Sequence, residues 1–333
     1  MRKKIVIFGA TGLIGAYTAT ALSEKYSIIA IGRRRSDNNF FAENGIKYYS
    51  VDITQKEAFS IIEEDDIYAV IHLAGVMPAA MEGYHPEIYI DSVIKGTLNI
   101  LNFCIDKKVN RIVFGQSRAD SNYLMGKEPI PSDIVKKFPL VGDHAVYSIC
   151  KNAAVDLIEH YYHQYGLKRF VLRLPTIYAY HPNLFFYVNG ERKYMAYRLI
   201  IDKAIRGDNV EIWGDPTKAK EIVYINDAIQ VIDKALQANI DGGVYNVGRG
   251  VPVTLDEQIK GIVEVFSSKS NPSKVIYCPE KPNGREYVND ISKTMNELGY
   301  VPQYDYRHLL EAYKKEMELQ RFKLLWGVES DYE

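Results

Sequence analysis

Cysteine is scarce in this chain: three among 333 residues, Cys104, Cys150 and Cys278, widely spaced and odd in number. That excludes a disulfide scaffold and a cysteine-rich zinc site. The seven histidines show no ligand spacing with cysteine or carboxylate, so no metal is expected. No apolar run approaches the ~20 residues a membrane-spanning helix needs. The opening Met-Arg-Lys-Lys-Ile-Val-Ile-Phe breaks at Gly9, too soon for a signal peptide. An excess of either charge is also lacking, with 41 Lys+Arg against 42 Asp+Glu and a net charge of -1. Without a concentrated basic surface, general nucleic-acid binding is not expected. These absences point to cytoplasmic residence and a small-molecule partner. Tyrosine, by contrast, is abundant at 26 copies; it could line a polar cleft, although amphipathic packing is its commoner use.

The hydrophobic pattern alternates between two periods. Lys4–Phe8 is a short apolar run that halts at Gly9, and helical spacing resumes through Ile14, Tyr17, Ala21 and Leu22. Further strands are predicted at Ser27–Ile31, Ile46–Val51, Ala69–Leu73, Arg111–Phe114, Arg169–Leu174 and Val244–Val247. Helices are predicted around Ile88–Asp106, Tyr147–Tyr165, Tyr194–Arg206 and Asn226–Gln237. Strands alternating with helices give βαβ units and a parallel sheet covered on both faces. The expected fold is α/β: a Rossmann-type doubly wound parallel sheet over residues 1–175, then a smaller C-terminal α/β substrate lobe over 176–333, with segments free to return to the sheet. A small strand pair is expected around Trp213 and Ile222–Ile225, and Thr254 with Glu257 has capping-box spacing.

The stretch Gly9-Ala10-Thr11-Gly12-Leu13-Ile14-Gly15 joins the first strand to the first helix. Glycines here permit a tight turn, close approach of backbone to a pyrophosphate and close helix–sheet packing. The helix N-terminus offers free N–H groups to negative charge. At the end of the second strand, where an NAD-selective site usually has an acid for the ribose hydroxyls, stands Gly32-Arg33-Arg34-Arg35. Arginine pairs with a 2′-phosphate through several donors, so NADP is favoured over NAD, with Arg33 and Arg34 as contacts; the alternative is a solvated basic turn beside an NAD site. Asp52 and Ile53, after the third strand, are candidates to flank the adenine.

Tyr147 and Lys151 lie four residues apart on a predicted helix and share a face. An ammonium beside a phenol stabilises the phenolate and makes tyrosine usable as an acid or base toward a substrate hydroxyl. Ser117 follows a strand at the C-terminal edge of the sheet, where its hydroxyl can orient the substrate oxygen. His144, three residues before Tyr147, either tunes this site or touches substrate, or else sits on a helix surface.

With the glycine turn, Ser117, and Tyr147 with Lys151 in order, the chain resembles an extended short-chain dehydrogenase/reductase of the NAD(P)-dependent sugar-nucleotide epimerase/dehydratase family. Secondary matches span most of the sequence: His72-Leu73-Ala74-Gly75, Gly96-Thr97, Arg173 with Tyr178, Tyr224-Ile225-Asn226-Asp227, Tyr245-Asn246-Val247-Gly248 and Asp290-Ile291-Ser292-Lys293. The resemblance implies cofactor contacts from Leu73, Ala74 and Gly75 as well as from Tyr147 and Lys151. It also implies substrate contacts from Thr176, Lys220 and Arg285, with Arg285 on a diphosphate, and a homodimer joined by the helices around Ile88–Asp106 and Tyr147–Tyr165. The implied reaction is epimerisation of a nucleotide-diphosphate sugar through a transient keto intermediate, Tyr147 moving the proton. A net NADPH-dependent reductase of a keto-sugar nucleotide or other carbonyl compound is the rival, and a non-catalytic dinucleotide-sensing protein the alternative of another class. Arg118-Ala119 stands where the family's dehydratases carry an Asp-Glu pair, which argues against dehydration. Lys220-Glu221 replaces a usual Arg-Asp.

Overall fold

A computed structural model of the protein describes residues 2–142 and 144–332. Seven strands form its one large sheet: β1 (Lys4–Phe8), β2 (Ser27–Gly32), β3 (Lys47–Ser50), β4 (Ile67–His72), β5 (Arg111–Ser117), β6 (Lys168–Leu174) and β7 (Gly242–Asn246). All pairings are parallel, in the spatial order β7-β6-β5-β4-β1-β2-β3. The order reverses between β1 and β4, and the crevice beyond the strand ends at such a switch point is where ligands of α/β sheets bind.

Alternation along the strands divides the core in two. Ile5, Ile7, Ala69, Ile71, Val113 and Phe170 face one way, against the helices Leu13–Leu22 and Ile225–Gln237. Val6, Phe8, Val70, Ile112, Phe114 and Val171 face the other, against Gly96–Asp106 and Ala145–Tyr165. Strands buried on both faces need near-continuous apolar runs, as these sequences have. Contrary to the expectation that no segment approaches a membrane-spanning length, the helical run Pro86–Asp106, with its π-helical stretch Ile90–Lys95, is long and apolar enough by length and composition, but half of it is buried inside the fold.

Past residue 175 the chain builds a smaller α/β region and then returns β7 to the sheet edge, paired with β6. The expected strand pair around Trp213 and Ile222–Ile225 is not formed. Val210–Trp213 pairs instead with Val275–Cys278, burying Val210 and Ile212 against Ile259, while Val223–Tyr224 pairs with Ile177–Tyr178. Thr254 and Glu257 form the capping box their spacing suggests: the Glu257 N–H donates to Thr254 Oγ1 at 3.1 Å and the Thr254 N–H to Glu257 Oε2 at 2.8 Å. Tyrosine is used mainly for packing: Tyr17, Tyr89, Tyr245, Tyr300 and Tyr313 are fully buried.

Candidate active site and dinucleotide groove

The turn after β1 is built on close contacts that only glycine permits. Gly9 has φ +86°, and a Cβ there would lie 2.6 Å from the Ala74 backbone nitrogen; one on Gly15 would lie 2.1 Å from the Gly9 carbonyl. The first helix therefore begins hard against the ends of β1 and β4. Gly12 precedes it with no side chain capping the N-terminus, so its N–H groups face the groove.

Two cavities adjoin along this groove and share Gly9, Gly12, Leu73, Ala74 and Gly75. One, of about 520 Å3, holds Thr11, Arg33, Arg34, Asp52 and Ile53. Its floor is fixed locally. Asp52 Oδ1 accepts from the Thr54 N–H at 3.0 Å and hydroxyl at 2.9 Å, and Asn99 Nδ2 donates to the Ile53 carbonyl at 2.8 Å. Gly96 leaves room for Ile53, since a Cβ there would meet the Ile53 side chain at 2.6 Å. His72, from the same sequence match, is not at the surface of the site. It is buried, shares a 2.9 Å hydrogen bond with Thr97 Oγ1, and is held neutral, its pKa pushed down to about 3 by burial and by nearby Lys151.

The other cavity, of about 480 Å3, brings Leu13, Ile14 and Gly15 together with Ser117, Tyr147, Lys151, Thr176 and Arg285. Lys220 is not on its wall. It lies on the short strand Ala219–Lys220 behind, close enough to Arg285 for that cation to help burial lower its pKa. Its neighbour Glu221 is a clasp: fully buried, it accepts the N–H groups of Arg249 at 2.6 Å and Gly250 at 2.8 Å.

Tyr147 is buried at the first turn of Ala145–Tyr165, on the same cavity wall as Ser117. Burial pushes the phenol up to about 12, with the nearby Ser117 hydroxyl acting in the opposite direction. Lys151 departs from the simple picture of an ammonium lying on the phenolate. Its Nζ donates to the Gly115 carbonyl at 2.7 Å and stands 4.4 Å from the centre of the Phe114 ring. Burial lowers its pKa to about 8. Ser117 itself ends β5, its N–H held by Gln116 Oε1 at 2.8 Å and its Oγ accepting from the Ala119 N–H at 3.2 Å.

Two features of the site escape a reading of the sequence. Arg118 and Asn122 line the cavity beside Ser117, on a 3-10 segment with no periodic signature. The C-terminal segment also reaches the groove: the Trp326 indole N–H donates to the Thr11 carbonyl at 2.9 Å.

The preference for NADP is overturned. Similar solved structures of a UDP-glucuronic acid 4-epimerase and a dTDP-glucose 4,6-dehydratase carry NAD. The fold supplies a physical reason: Arg34 donates to the Leu325 carbonyl and lies close enough to Tyr332 to oppose the rise that burial gives its pKa, so the tail takes up donors a 2′-phosphate would need. Arg33 alone is left at the cavity edge without such a tie.

Among similar structures, UDP-glucose 4-epimerase of Thermotoga maritima superposes with a TM-score of 0.74 at 22% identity, covering 95% of this chain and 99% of that one. UDP-glucuronic acid 4-epimerase of Bacillus cereus, in complex with UDP-glucuronic acid and NAD, gives 0.70 at 21% identity over 94% and 99%. At such identities the likeness is one of fold. In sequence, UDP-glucuronate 4-epimerase of Thermodesulfobacterium geofontis is 27% identical over 268 residues, 80% of this chain and 77% of that protein. Residues 5–248 match the NAD dependent epimerase/dehydratase family, a span that runs from the first strand past the last strand of the sheet, and the chain belongs to that family.

Proposed function

We propose that the protein is an NAD-dependent epimerase of a nucleotide-diphosphate sugar, working through a transient keto intermediate. The observation that carries this is the convergence of Ser117, Tyr147 and Lys151 on the wall of one cavity shared with the glycine turn. Bound along the groove, NAD supplies a nicotinamide ring that accepts a hydride and gives it back. Gly9, Thr11, Gly12, Leu13, Ile14 and Gly15 take the pyrophosphate end, Arg33, Asp52 and Ile53 the adenosine end, and Leu73, Ala74 and Gly75 the wall between.

Tyr147 exchanges the proton of the reacting hydroxyl while the carbon loses its hydrogen as hydride. Ser117 fixes that hydroxyl by hydrogen bonding. The reverse transfer on the other face of the rotated keto sugar restores both and leaves no net oxidation. A phenol held near 12 is a poor base alone; a cation must offset the cost of its charge, and Lys151, one turn along the same helix, is the chain's own. Thr176 and Arg285 hold the substrate, with Lys220 reinforcing the charge behind Arg285. Residues 1–175 bind chiefly the dinucleotide and 176–333 chiefly the substrate. The exposed Ile88, Ile90, Leu98 and Ile149 suit the two helices to joining a homodimer in the cytoplasm.

The test is Tyr147→Phe. Its kcat is expected to fall about 10³-fold, with NAD affinity by calorimetry within a factor of about two of wild type. Wild-type enzyme should interconvert sugar epimers with no net change in nicotinamide absorbance. Stoichiometric loss of reduced cofactor would mark a reductase, and preserved turnover in Tyr147→Phe would remove the mechanism.

A further inference from the structure

The cavity holds one more cation than the proposed chemistry uses. Arg118 directly follows Ser117 and opens the 3-10 segment Arg118–Leu124. Its place is set by the next turn of that segment: Asp120 is buried and paired on both oxygens with Arg173, Nε to Oδ1 and Nη2 to Oδ2 at 3.1 Å each. The Arg118 guanidinium lies over the Tyr287 ring at 3.8 Å, and its Nε and Nη2 are buried with no hydrogen-bond partner among the described residues. Four residues on, Asn122 has an Oδ1 in the same condition, and both residues line the cavity that holds Tyr147. Buried donors of a charged group are rarely left unsatisfied, because the desolvation cost is not repaid. The guanidinium thus lies over an aromatic ring, on the wall of the cavity beside Ser117 and Tyr147, with two donors unsatisfied.

Charge balance indicates which acceptor. Among the described residues lining the cavity, Arg118, Lys151 and Arg285 are cations and none is a carboxylate. Arg118 and Arg285 are close enough for Arg285 to disfavour the Arg118 charge. Lys151 serves the Tyr147 phenol, and Arg285, with Lys220 behind it, answers the diphosphate. The third cation sits beside Ser117, where the sugar reacts.

We infer that the sugar itself carries a carboxylate, so that the substrate is a nucleotide-diphosphate hexuronate whose acid group pairs with the free edge of Arg118, with Asn122 Oδ1 accepting from a neighbouring sugar hydroxyl. A planar fork meeting a carboxylate through two parallel N–H···O bonds is arginine's strongest recognition mode, which lysine cannot reproduce. This rests on the epimerase assignment above and narrows it to acidic sugars.

The experiment compares kcat/KM for UDP-glucuronate and UDP-glucose in the wild-type enzyme, Arg118→Gln and Arg118→Lys. Wild type is expected to favour the hexuronate about 100-fold, the scale for losing one partner of a buried charge pair. Arg118→Gln should collapse that ratio to near unity, and Arg118→Lys should recover only part of it. Wild-type discrimination needs no variant, so it stands even if a variant folds poorly. Equal use of both sugars by the wild type, or a ratio unchanged in Arg118→Gln, overturns the inference and leaves the epimerase assignment standing. Turnover of neither sugar overturns both.

Discussion

At the scale of single residues, the site holds a cation where folding alone would not put one. Lys151 is buried, and its ammonium is disfavoured by about the difference between 10.5 and 8 in pKa. Between those two values the unfolded chain binds more protons than the folded one, so the Lys151 contribution to stability improves as pH rises through that window and is least favourable below it. Replacement by an isosteric apolar residue removes the penalty at the cost of the hydrogen bond to Gly115. Lys151→Met is therefore expected to be about 1 kcal/mol more stable than wild type near pH 7. That advantage should shrink as pH rises toward 10 while activity is lost at every pH; denaturant melts across the range check it. A variant less stable than wild type at neutral pH would show that the ammonium is better solvated than its burial indicates.

At the scale of elements, the segment after β5 matters most, because it carries Arg118 and Asn122 and hangs on one ion pair. Arg173 also donates to the Ser132 carbonyl at 2.9 Å and Asn246 Oδ1 at 3.2 Å, tying that segment to β6 and β7 at once. Breaking the pair leaves a buried guanidinium short of two partners. Asp120→Ala is expected to cost about 3 kcal/mol in chemical denaturation. The large sheet was legible in the sequence for a simple reason: its inner strands are short apolar runs bounded by glycine or polar residues, and burial on both faces imposes that composition. The expected strand at Arg111–Phe114 extends through Ser117 because Gly115, Gln116 and Ser117 continue the pairing with β6, which composition does not announce. The strand partners of Val210–Trp213 and Val223–Tyr224 were not legible, since two-residue and four-residue strands take their partners from tertiary packing. Tyr147 and Lys151 could be found by helical spacing, whereas Arg118 could be noted only as a departure; its unpaired donors exist only once Asp120 is committed to Arg173.

At the scale of the whole molecule, the C-terminal segment closes the chain onto its own beginning. Phe322 and Trp326 pack tilted against Tyr17 of the first helix, with ring centroids 4.4 and 6.2 Å away, and Glu329 takes the buried Arg198. This also explains why three arginines misled as a sign of NADP. Leu325 stands 291 residues from Arg34, and a contact of that range leaves no local trace. Trp326→Ala is expected to cost about 3–5 kcal/mol and, by releasing the Thr11 carbonyl, to weaken NAD binding several-fold. Calorimetry with NAD separates the two effects; unchanged affinity would make the tail a purely structural brace.

The central claim, that Tyr147 moves a proton while a hydride leaves and returns to the same carbon, is tested most directly by epimerising UDP-glucuronate with the wild-type enzyme and NAD in deuterated water, followed by NMR. The product is expected to retain its original hydrogen at the inverted carbon, with no solvent deuterium there. Deuterium at that carbon would mean proton abstraction from carbon and would contradict the account.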